Sequence, residues 1–320
     1  MGNAFAKRLR QSVAGYLGTG LALVLLVLFF SLTTDNFLSA DTFRNIANQS
    51  PAITVIAVGM TFVLLLGGID LSVGSVMGLC GAILGVVLMQ NFPFALPISI
   101  LLCIAAGLAC GLANGLVTVR WSLPSFIVTL GMLEIARGAA YLVTDSQTQY
   151  IGQSIGRLAD AGVLGLSLPF WVALAAVAAG QVILSTTVFG RYVLAIGANE
   201  EAVRLAGVDP RPVKRWVFAL CGGLAGVAAV LHTARLQSAD PNAGYGLELQ
   251  AIAAVVIGGT SLLGGRGSVV GSFLGVLIIA VLNTGLAQSG AQEPVKRLIT
   301  GLVIVVAVLA DYYRRRAARA

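Results

Sequence analysis

Most of the chain is a succession of long apolar runs separated by short polar segments. Apolar runs approaching about 20 residues are long enough to cross the hydrocarbon core of a bilayer as helices. The pattern predicts an all-α, polytopic integral membrane protein with about ten transmembrane helices, some of them broken. The runs lie near Tyr16–Leu32, Pro51–Leu66, Ser72–Met89, Ala95–Val117, Pro124–Val143, Pro169–Thr187, Trp216–Leu231, Leu249–Ile257, Val269–Ala287 and Leu298–Ala310. The eighth run is short, which favours a partial helix.

Two of the runs are interrupted in the same way. Leu64–Gly78 reads LLLGGIDLSVGSVMG and Val255–Gly271 reads VVIGGTSLLGGRGSVVG. Each has an apolar run, a double glycine, a polar interruption and a Gly-Ser pair before the next run. Broken segments repeated in the two halves of a chain point to a transport pathway. Glycine-containing hairpin turns between spans are the alternative. The order of crossings places both breaks on the same side of the membrane, so the repeat is not established as an inverted one.

Composition and charge support a membrane protein with a defined orientation. Hydrophobic residues make up 58% of the chain and charged residues 10%, whereas soluble domains carry about 25% charged residues. With both termini in the cytoplasm, fourteen basic residues face inward: Lys7, Arg8, Arg10, Arg120, Arg191, Arg204, Arg211, Lys214, Arg215, Arg266, Arg314, Arg315, Arg316 and Arg319. Five face outward, namely Arg44, Arg157, Arg235, Lys296 and Arg297. This asymmetry follows the positive-inside rule, so the basic charge does not require nucleic-acid binding.

The longest charged segment is Gly190–Arg215, which is predicted to be a cytoplasmic loop of about residues 190–215. It contains the signature of a helix of about 7 residues, too short to persist alone in water. The capping and turn residues that define it are Asn199, Glu200, Glu201, Arg204 and Gly207. A marginal helix with a small apolar patch, including Leu205, indicates a segment that docks on a partner. An ordinary solvated loop is the alternative. A second polar loop, residues 144–168, is predicted on the outer side.

Three charges fall within or beside the apolar runs, where an unpaired charge is costly. Glu134 and Arg137 are three residues apart on one predicted helix, and we expect a structural ion pair facing the interior. A contact with the substrate is the alternative. Asp70 is placed to cap the helix that begins near Leu71, with a role in the pathway as the alternative. Other polar positions include Ser72, Asn114 and Asn283. They either line a pathway or hold neighbouring helices together.

Enzymatic constellations are not found in the sequence. The single histidine, His232, has no metal-ligating neighbours at the usual spacing. None of the three lysines follows a glycine, so there is no Walker loop for a nucleotide phosphate. We therefore expect no catalytic residue, no metal site and no cofactor in this chain.

Four stretches resemble the membrane permeases of bacterial ABC importers for monosaccharides, of the ribose, galactose and xylose type. They are LLLGGIDLSVGS, LPSFIVTLGMLEIARG, LAIGANEEAVRLAGV and GGTSLLGGRGSVVGSFLGVLIIAVLNTGL, and the resemblance extends from about Asn36 to Asp311. It implies a single transmembrane permease domain over residues 1–320 in the bacterial inner membrane. Branched-chain amino-acid permeases have a similar glycine-rich turn, but they do not usually carry GGIDLSVG.

The resemblance also implies partners. They are cytoplasmic ATPase subunits that bind ATP and Mg²⁺, a periplasmic or lipid-anchored sugar-binding protein, and a second permease subunit, identical or not. The segment Asn199–Gly207, together with Gly197, would then couple the permease to the ATPase. Permeases for branched-chain amino acids or another small polar solute remain alternatives. So does an ion-coupled secondary transporter that uses Glu134, Arg137 and Asp70 as a relay; an intramembrane enzyme is disfavoured, since no nucleophile or metal constellation is present.

The charge asymmetry predicts that the segment containing Arg204 lies in the cytoplasm. An Arg204→Cys protein should resist a membrane-impermeant thiol reagent in intact cells and react with it in inside-out vesicles. Labelling in intact cells would contradict the predicted orientation.

Overall fold

The computed structural model describes residues 2–317, and these form a bundle of helices with four two-residue strands. The helices are α1 Gly2–Thr33, α2 Ala40–Gln49, α3 Pro51–Leu65, α4 Val73–Met89, α5 Ala95–Arg120, α6 Ser125–Val143, α7 Gln153–Asp160, α8 Leu168–Thr186, α9 Val188–Ala198, α10 Glu200–Leu205, α11 Pro210–Leu236, α12 Leu247–Ile257, α13 Val269–Gln288 and α14 Glu293–Ala317. The strands are β1 Gln149–Tyr150, β2 Gly162–Val163, β3 Leu166–Ser167 and β4 Ser238–Ala239.

Among the described residues, five helices are long and apolar enough to cross a bilayer: α5, α6, α8, α11 and α13. A sixth span results if α2 and α3, which meet at an angle of 50°, are one bent crossing. Shorter apolar helices occur at Leu17–Thr33, α4, α9 and α12. The helical membrane architecture is thus established, while the count of about ten crossings and the cytoplasmic location of the termini remain predictions.

Helix α3 forms the centre of the bundle. Every residue of α3 except Ile53 is buried, which suits a helix that is apolar on all sides. The neighbouring helix α11 is also largely buried, whereas α5, α6 and α8 expose most of their apolar surface. An exposed apolar surface of this kind is the one that lipid or a second membrane subunit covers.

Helices α5 and α11 approach each other closely enough for their backbones to touch. A Cβ atom on Gly107 or Gly111 would overlap the carbonyl oxygen of Gly222 or Phe218, and one on Gly226 would lie 2.9 Å from Cα of Ile104. The thiol of Cys103 donates a hydrogen bond to the carbonyl of Gly226 at 3.3 Å. Small residues spaced four apart on both helices therefore create this interface, as is common in lipid.

The bundle has two distinct ends. We call the end that carries α10 and the two chain breaks, residues 66–72 and 258–268, the α10 face. The opposite end carries α7 and the four strands, and we call it the α7 face. The predicted polar loop 144–168 is partly ordered there: it contains α7, the β2–β3 hairpin and β1, which pairs antiparallel with β4.

Residues 240–246 run from the α7 face into the bundle along α4. Ala239 lies against Gly85 near one end of α4, and Gly244 lies against Gly74 near the other. Eleven helical residues separate these glycines, so the segment descends by about 16 Å. Helix α12 starts at the bottom of this descent and is only 11 residues long. The eighth apolar run is therefore a partial helix that follows a re-entrant segment, residues 240–246.

The α5–α11 packing makes a stability prediction. Gly222→Val should lower the melting temperature of the purified protein and its yield in the membrane, because the added atoms overlap backbone that cannot move aside. Overpacking of this kind typically lowers the free energy of unfolding by about 1–3 kcal/mol. The matched control is Gly18→Val, at a position with no atom within 4 Å of the new Cβ. Equal melting temperatures for the two variants would contradict the close helix contact.

Candidate coupling site and membrane polar cluster

Helix α10 occupies the position that the charge pattern predicts. Asn199 is its N-cap, and its side-chain oxygen accepts a hydrogen bond from the backbone N–H of Ala202 at 2.9 Å. The helix ends at Leu205, and Gly207 follows in the left-handed conformation with φ +83°. Asp209 and Pro210 then begin α11, where the Asp209 carboxylate accepts from the N–H of Arg211 at 3.0 Å. The capping signals in the sequence therefore specify this helix residue by residue.

The segment around α10 is shorter than the charge pattern suggests. Helix α9 extends to Ala198, so only residues 199–209 lie between α9 and α11. The reason is that α9 is amphipathic: Thr187 caps it by accepting from the N–H of Gly190 at 3.1 Å, and Val193 and Ile196 are buried in the core. The predicted loop 190–215 is thus mostly helix.

The outward side of α10 is exposed, and one ion pair joins the helix to α11 while a second lies within it. Glu200 pairs with Lys214 of α11, and Glu201 pairs with Arg204 within the helix at 3.6 Å. Leu205 is 81% exposed, although Leu side chains are usually buried. Between α10 and the α5–α6 connection lies an open cavity of about 600 Å³. The helix therefore presents an apolar residue within a charged rim, next to a cleft.

The end of α9 meets both chain breaks at one point. We call this contact the glycine junction and define it by Leu65, Gly67, Gly197, Gly264 and Gly265. The N–H of Gly265 donates to the carbonyl of Leu65 at 2.9 Å. A Cβ atom on Gly197 would overlap that same carbonyl, and one on Gly264 would lie 2.7 Å from the carbonyl oxygen of Gly197 and 2.9 Å from the N–H nitrogen of Gly67. Only glycine allows three backbones to approach this closely.

The junction places the start of α10 next to both breaks. Ala198 and Asn199 continue directly from Gly197 into α10. The double glycines in the two breaks were visible in the sequence as a repeated pattern, but that they contact each other and Gly197 was not. The signal that could have indicated it is the glycine at position 197, next to the C-terminal end of α9.

The first break is held by a buried polar network that joins three of the predicted site residues. The Asp70 carboxylate accepts hydrogen bonds from the N–H of Ser72 at 2.9 Å and from its hydroxyl at 2.6 Å. The amide of Asn114 donates to the same hydroxyl at 2.9 Å. All three side chains are about 1% exposed. Helix α4 starts at Val73 with Ser72 at the cap position, two residues after the predicted start near Leu71. Asp70 therefore orders the turn that precedes the helix.

Helix α6 also supports this break. The N–H of Ile69 donates to the hydroxyl of Ser125 at 2.9 Å, and that of Leu71 donates to the hydroxyl of Thr129 at 3.0 Å. Backbone donors in a membrane interior need such partners, because lipid offers none. The break therefore moves only if α6 or these hydrogen bonds move with it.

The predicted ion pair between Glu134 and Arg137 is wrong. Among the ion pairs of the described residues none joins these two side chains, and Glu134 is exposed on the surface of α6. The Arg137 guanidinium instead donates to the carbonyls of Pro241 at 2.7 Å and Ala243 at 3.1 Å. It also lies 5.9 Å from the centre of the Tyr245 ring. The carbonyls of the re-entrant segment lack helix partners, and a guanidinium with five donors satisfies them better than a carboxylate could.

Arg137 and Tyr141, with Asn242 and Tyr245 next to them, form a polar cluster along one side of α6. The hydroxyl of Tyr141 donates to the side-chain oxygen of Asn242 at 2.6 Å, one turn beyond Arg137. Asn283 does not belong to it: it lies on α13, where its oxygen accepts from the hydroxyl of Thr300 at 3.5 Å. The predicted pathway residues therefore separate into a buried network at the first break, a cluster on α6 and an isolated position on α13.

A mainly helical membrane protein in which two segments between consecutive helices meet the end of α9, next to an exposed short helix, has the architecture of a transport permease. The sequence model of the family described as "branched-chain amino acid transport system / permease component" matches residues 42–308. The chain belongs to this family.

Individual relatives are similar over nearly their whole length. The ribose import permease protein RbsC of Haemophilus influenzae is 40% identical, covering 92% of this chain and 92% of the relative. The L-arabinose ABC transporter permease protein AraH of Azospirillum brasilense is 37% identical, covering 94% and 89%. The fructose import permease protein FrcC of Rhizobium meliloti is 34% identical, covering 99% and 92%. The resemblance to monosaccharide permeases drawn from four motifs is thus confirmed.

The contacts of Arg137 predict a marked asymmetry between Arg137, which belongs to the polar cluster, and Glu134, which does not. Arg137→Gln should lower the amount of folded protein, because it leaves the carbonyls of Pro241 and Ala243 unsatisfied at a cost of about 1–3 kcal/mol. Glu134→Gln should leave folding unchanged, and the double variant should match Arg137→Gln. Size-exclusion yield and melting temperature in detergent measure both effects. Restoration of folding in the double variant would show that the two side chains neutralise each other after all.

Proposed function

We propose that this chain is the membrane-spanning permease subunit of an ABC importer that moves a monosaccharide across the bacterial inner membrane. The observation that carries the proposal is the glycine junction, because it packs the end of α9, from which α10 continues, against both chain breaks. The relatives whose printed names specify ribose, arabinose and fructose support a sugar as the substrate.

A permease for branched-chain amino acids is the second candidate, since the family description names that transport system. Uptake assays distinguish the two directly. Proteoliposomes that contain the permease, its ATPase and its binding protein are supplied with labelled ribose, arabinose, fructose or leucine. ATP-dependent uptake of a sugar supports the proposal, and uptake of leucine alone overturns it in favour of the second candidate.

An ion-coupled secondary transporter has less support. Such a mechanism needs ionisable groups that form a continuous relay. Asp70 is enclosed in the network at the first break, and Arg137 is occupied by the carbonyls of the re-entrant segment. Glu134 stands alone on the exposed side of α6, so the three residues proposed for the relay do not come together.

The proposed topology has about ten crossings, with both termini and the α10 face in the cytoplasm. The fourteen-to-five distribution of basic residues supports this orientation. The α7 face, with its short strands and α7, is then periplasmic and receives the binding protein. The exposed apolar surface of α6 is a suitable contact for the second permease subunit, identical or not.

The proposed partner at α10 is a cytoplasmic ATPase subunit that binds ATP and Mg²⁺. Leu205, within the rim formed by Glu201 and Arg204, fits an apolar groove with a polar border. When two ATPases close on ATP, α10 moves with them, and the glycine junction carries the displacement to both breaks. The spans then alternate between outward-facing and inward-facing arrangements, because the partner binds one arrangement more tightly than the other.

Leu205→Asp tests this coupling. The side chain is largely exposed and makes few internal contacts, so the substitution should leave the melting temperature of the permease within the error of measurement. It should abolish sugar-stimulated ATP hydrolysis and reduce the ATPase that copurifies with the permease by about 10-fold, equivalent to about 1.4 kcal/mol of binding.

The matched control is Leu164→Asp, at a residue that is 86% exposed on the α7 face. This variant should retain the ATPase on purification. Wild-type retention and stimulated hydrolysis in Leu205→Asp would mean that α10 is only a connection between α9 and α11.

A further inference from the structure

A polar cavity lies within a single copy of the chain, apart from the polar cluster on α6. We call it the amide cavity; it is an open cleft with a volume of about 510 Å³, lined by residues of α2, α3, α12, α13 and α14. Its polar lining includes the amide side chains Asn45, Gln49, Gln250, Asn283 and Gln288. The volume is in the range of small-molecule sites in proteins, about 300–1,000 Å³.

Three of the five amides are available for a ligand, whereas Gln288 donates to the hydroxyl of Thr42 at 2.8 Å and Asn283 accepts from that of Thr300 at 3.5 Å. Asn45, Gln49 and Gln250 are exposed to the cavity region, and no side-chain hydrogen bond is recorded for them among the described residues. Gln250 lies in the first turn of α12, below the descent of the re-entrant segment. An amide without a partner in the protein needs water or a polar ligand.

The lining is chemically specific. Lys296 is the only charged residue among the described residues that line the cavity, and it is paired with Glu293 at 2.7 Å. An amino acid would need partners for both its carboxylate and its ammonium group, and the cavity offers no carboxylate. Amides donate and accept hydrogen bonds at once, as hydroxyl groups do. Ile279 and Val276 supply an apolar wall that suits the C–H face of a sugar ring.

The cavity also leads towards the polar cluster. A second cavity of about 460 Å³ shares Gln250, Asn283 and Lys296 with it and extends to Tyr245. The ring of Tyr245 lies beside the Arg137 guanidinium. The space next to the amide cavity therefore extends to Tyr245, beside Arg137 of α6.

We propose that the amide cavity is a low-affinity binding site for a neutral monosaccharide, with Gln250 and Asn283 as its principal contacts. This inference rests on the proposed function and assigns the substrate a site within one permease copy. It implies that the permease itself, and not only the binding protein, discriminates a neutral polyol from a zwitterion.

The experiment uses the complete transporter in nanodiscs. Saturation-transfer difference NMR with ribose, or with whichever sugar of the uptake panel is transported, detects weak binding to the membrane subunit in samples without the binding protein. We expect a signal for wild type that leucine does not displace. Gln250→Leu and Asn283→Leu should lose the signal and reduce sugar uptake at least 10-fold, with unchanged melting temperature and unchanged retention of the ATPase.

Gln90→Leu is the control, since it removes an exposed amide outside the cavity and should behave as wild type. If wild type takes up sugar while Gln250→Leu and Asn283→Leu take it up at the same rate and keep the NMR signal, the site is wrong and the proposed function stands. If wild type takes up no sugar, the proposed function fails, and the sugar site fails with it.

Discussion

The close approach of three backbones at the glycine junction is the constraint on which the rest of the structure depends. Gly197 rests against the carbonyl of Leu65, which also accepts a hydrogen bond from Gly265. Side chains at these positions would force the two breaks apart and separate α9 from both. Because the contact is made by backbone atoms, it has little freedom to slide or rotate. We therefore expect a displacement of α10 to reach both breaks through Gly197.

The membrane environment explains why the breaks are so heavily hydrogen-bonded. Irregular backbone is tolerated at membrane depth only where protein groups or water satisfy it. Ser125 and Thr129 do this for the first break, and Gln181 does so for the start of α13, whose first N–H groups it accepts at 3.0 and 3.2 Å. Arg137 does the same for the re-entrant segment. Charged and polar residues within the bundle thus serve mainly to hold non-helical backbone in place.

The sequence predicted local features well. Caps and turn residues placed α10 within one residue, because Asn199 and Gly207 act on their immediate neighbours. The apolar runs located the five long apolar helices α5, α6, α8, α11 and α13 and the short α12, since burial in lipid requires a continuous apolar stretch. The four family motifs led to the correct family.

Contacts between distant segments could not be predicted in the same way. Glu134 and Arg137 have ideal spacing for an ion pair, but the re-entrant carbonyls, more than 100 residues away in the chain, compete for the guanidinium. The meeting of Gly197 with the two breaks depends on how α3, α9 and α12 pack, which no local pattern encodes. Asn283 was singled out as a polar residue in a span, but the cavity around it is assembled from five helices.

The central claim is that α10 and the breaks move as one body. It is tested most directly by electron paramagnetic resonance on spin labels at Ala202→Cys in α10 and Leu263→Cys in the second break, where the native leucine is 79% exposed. A reference label at Tyr150→Cys on the α7 face completes the set. We predict that the 202–263 distance is the same in the ATP-bound and nucleotide-free transporter, while the 202–150 distance changes. A change in the 202–263 distance on ATP binding would contradict rigid coupling through the glycine junction.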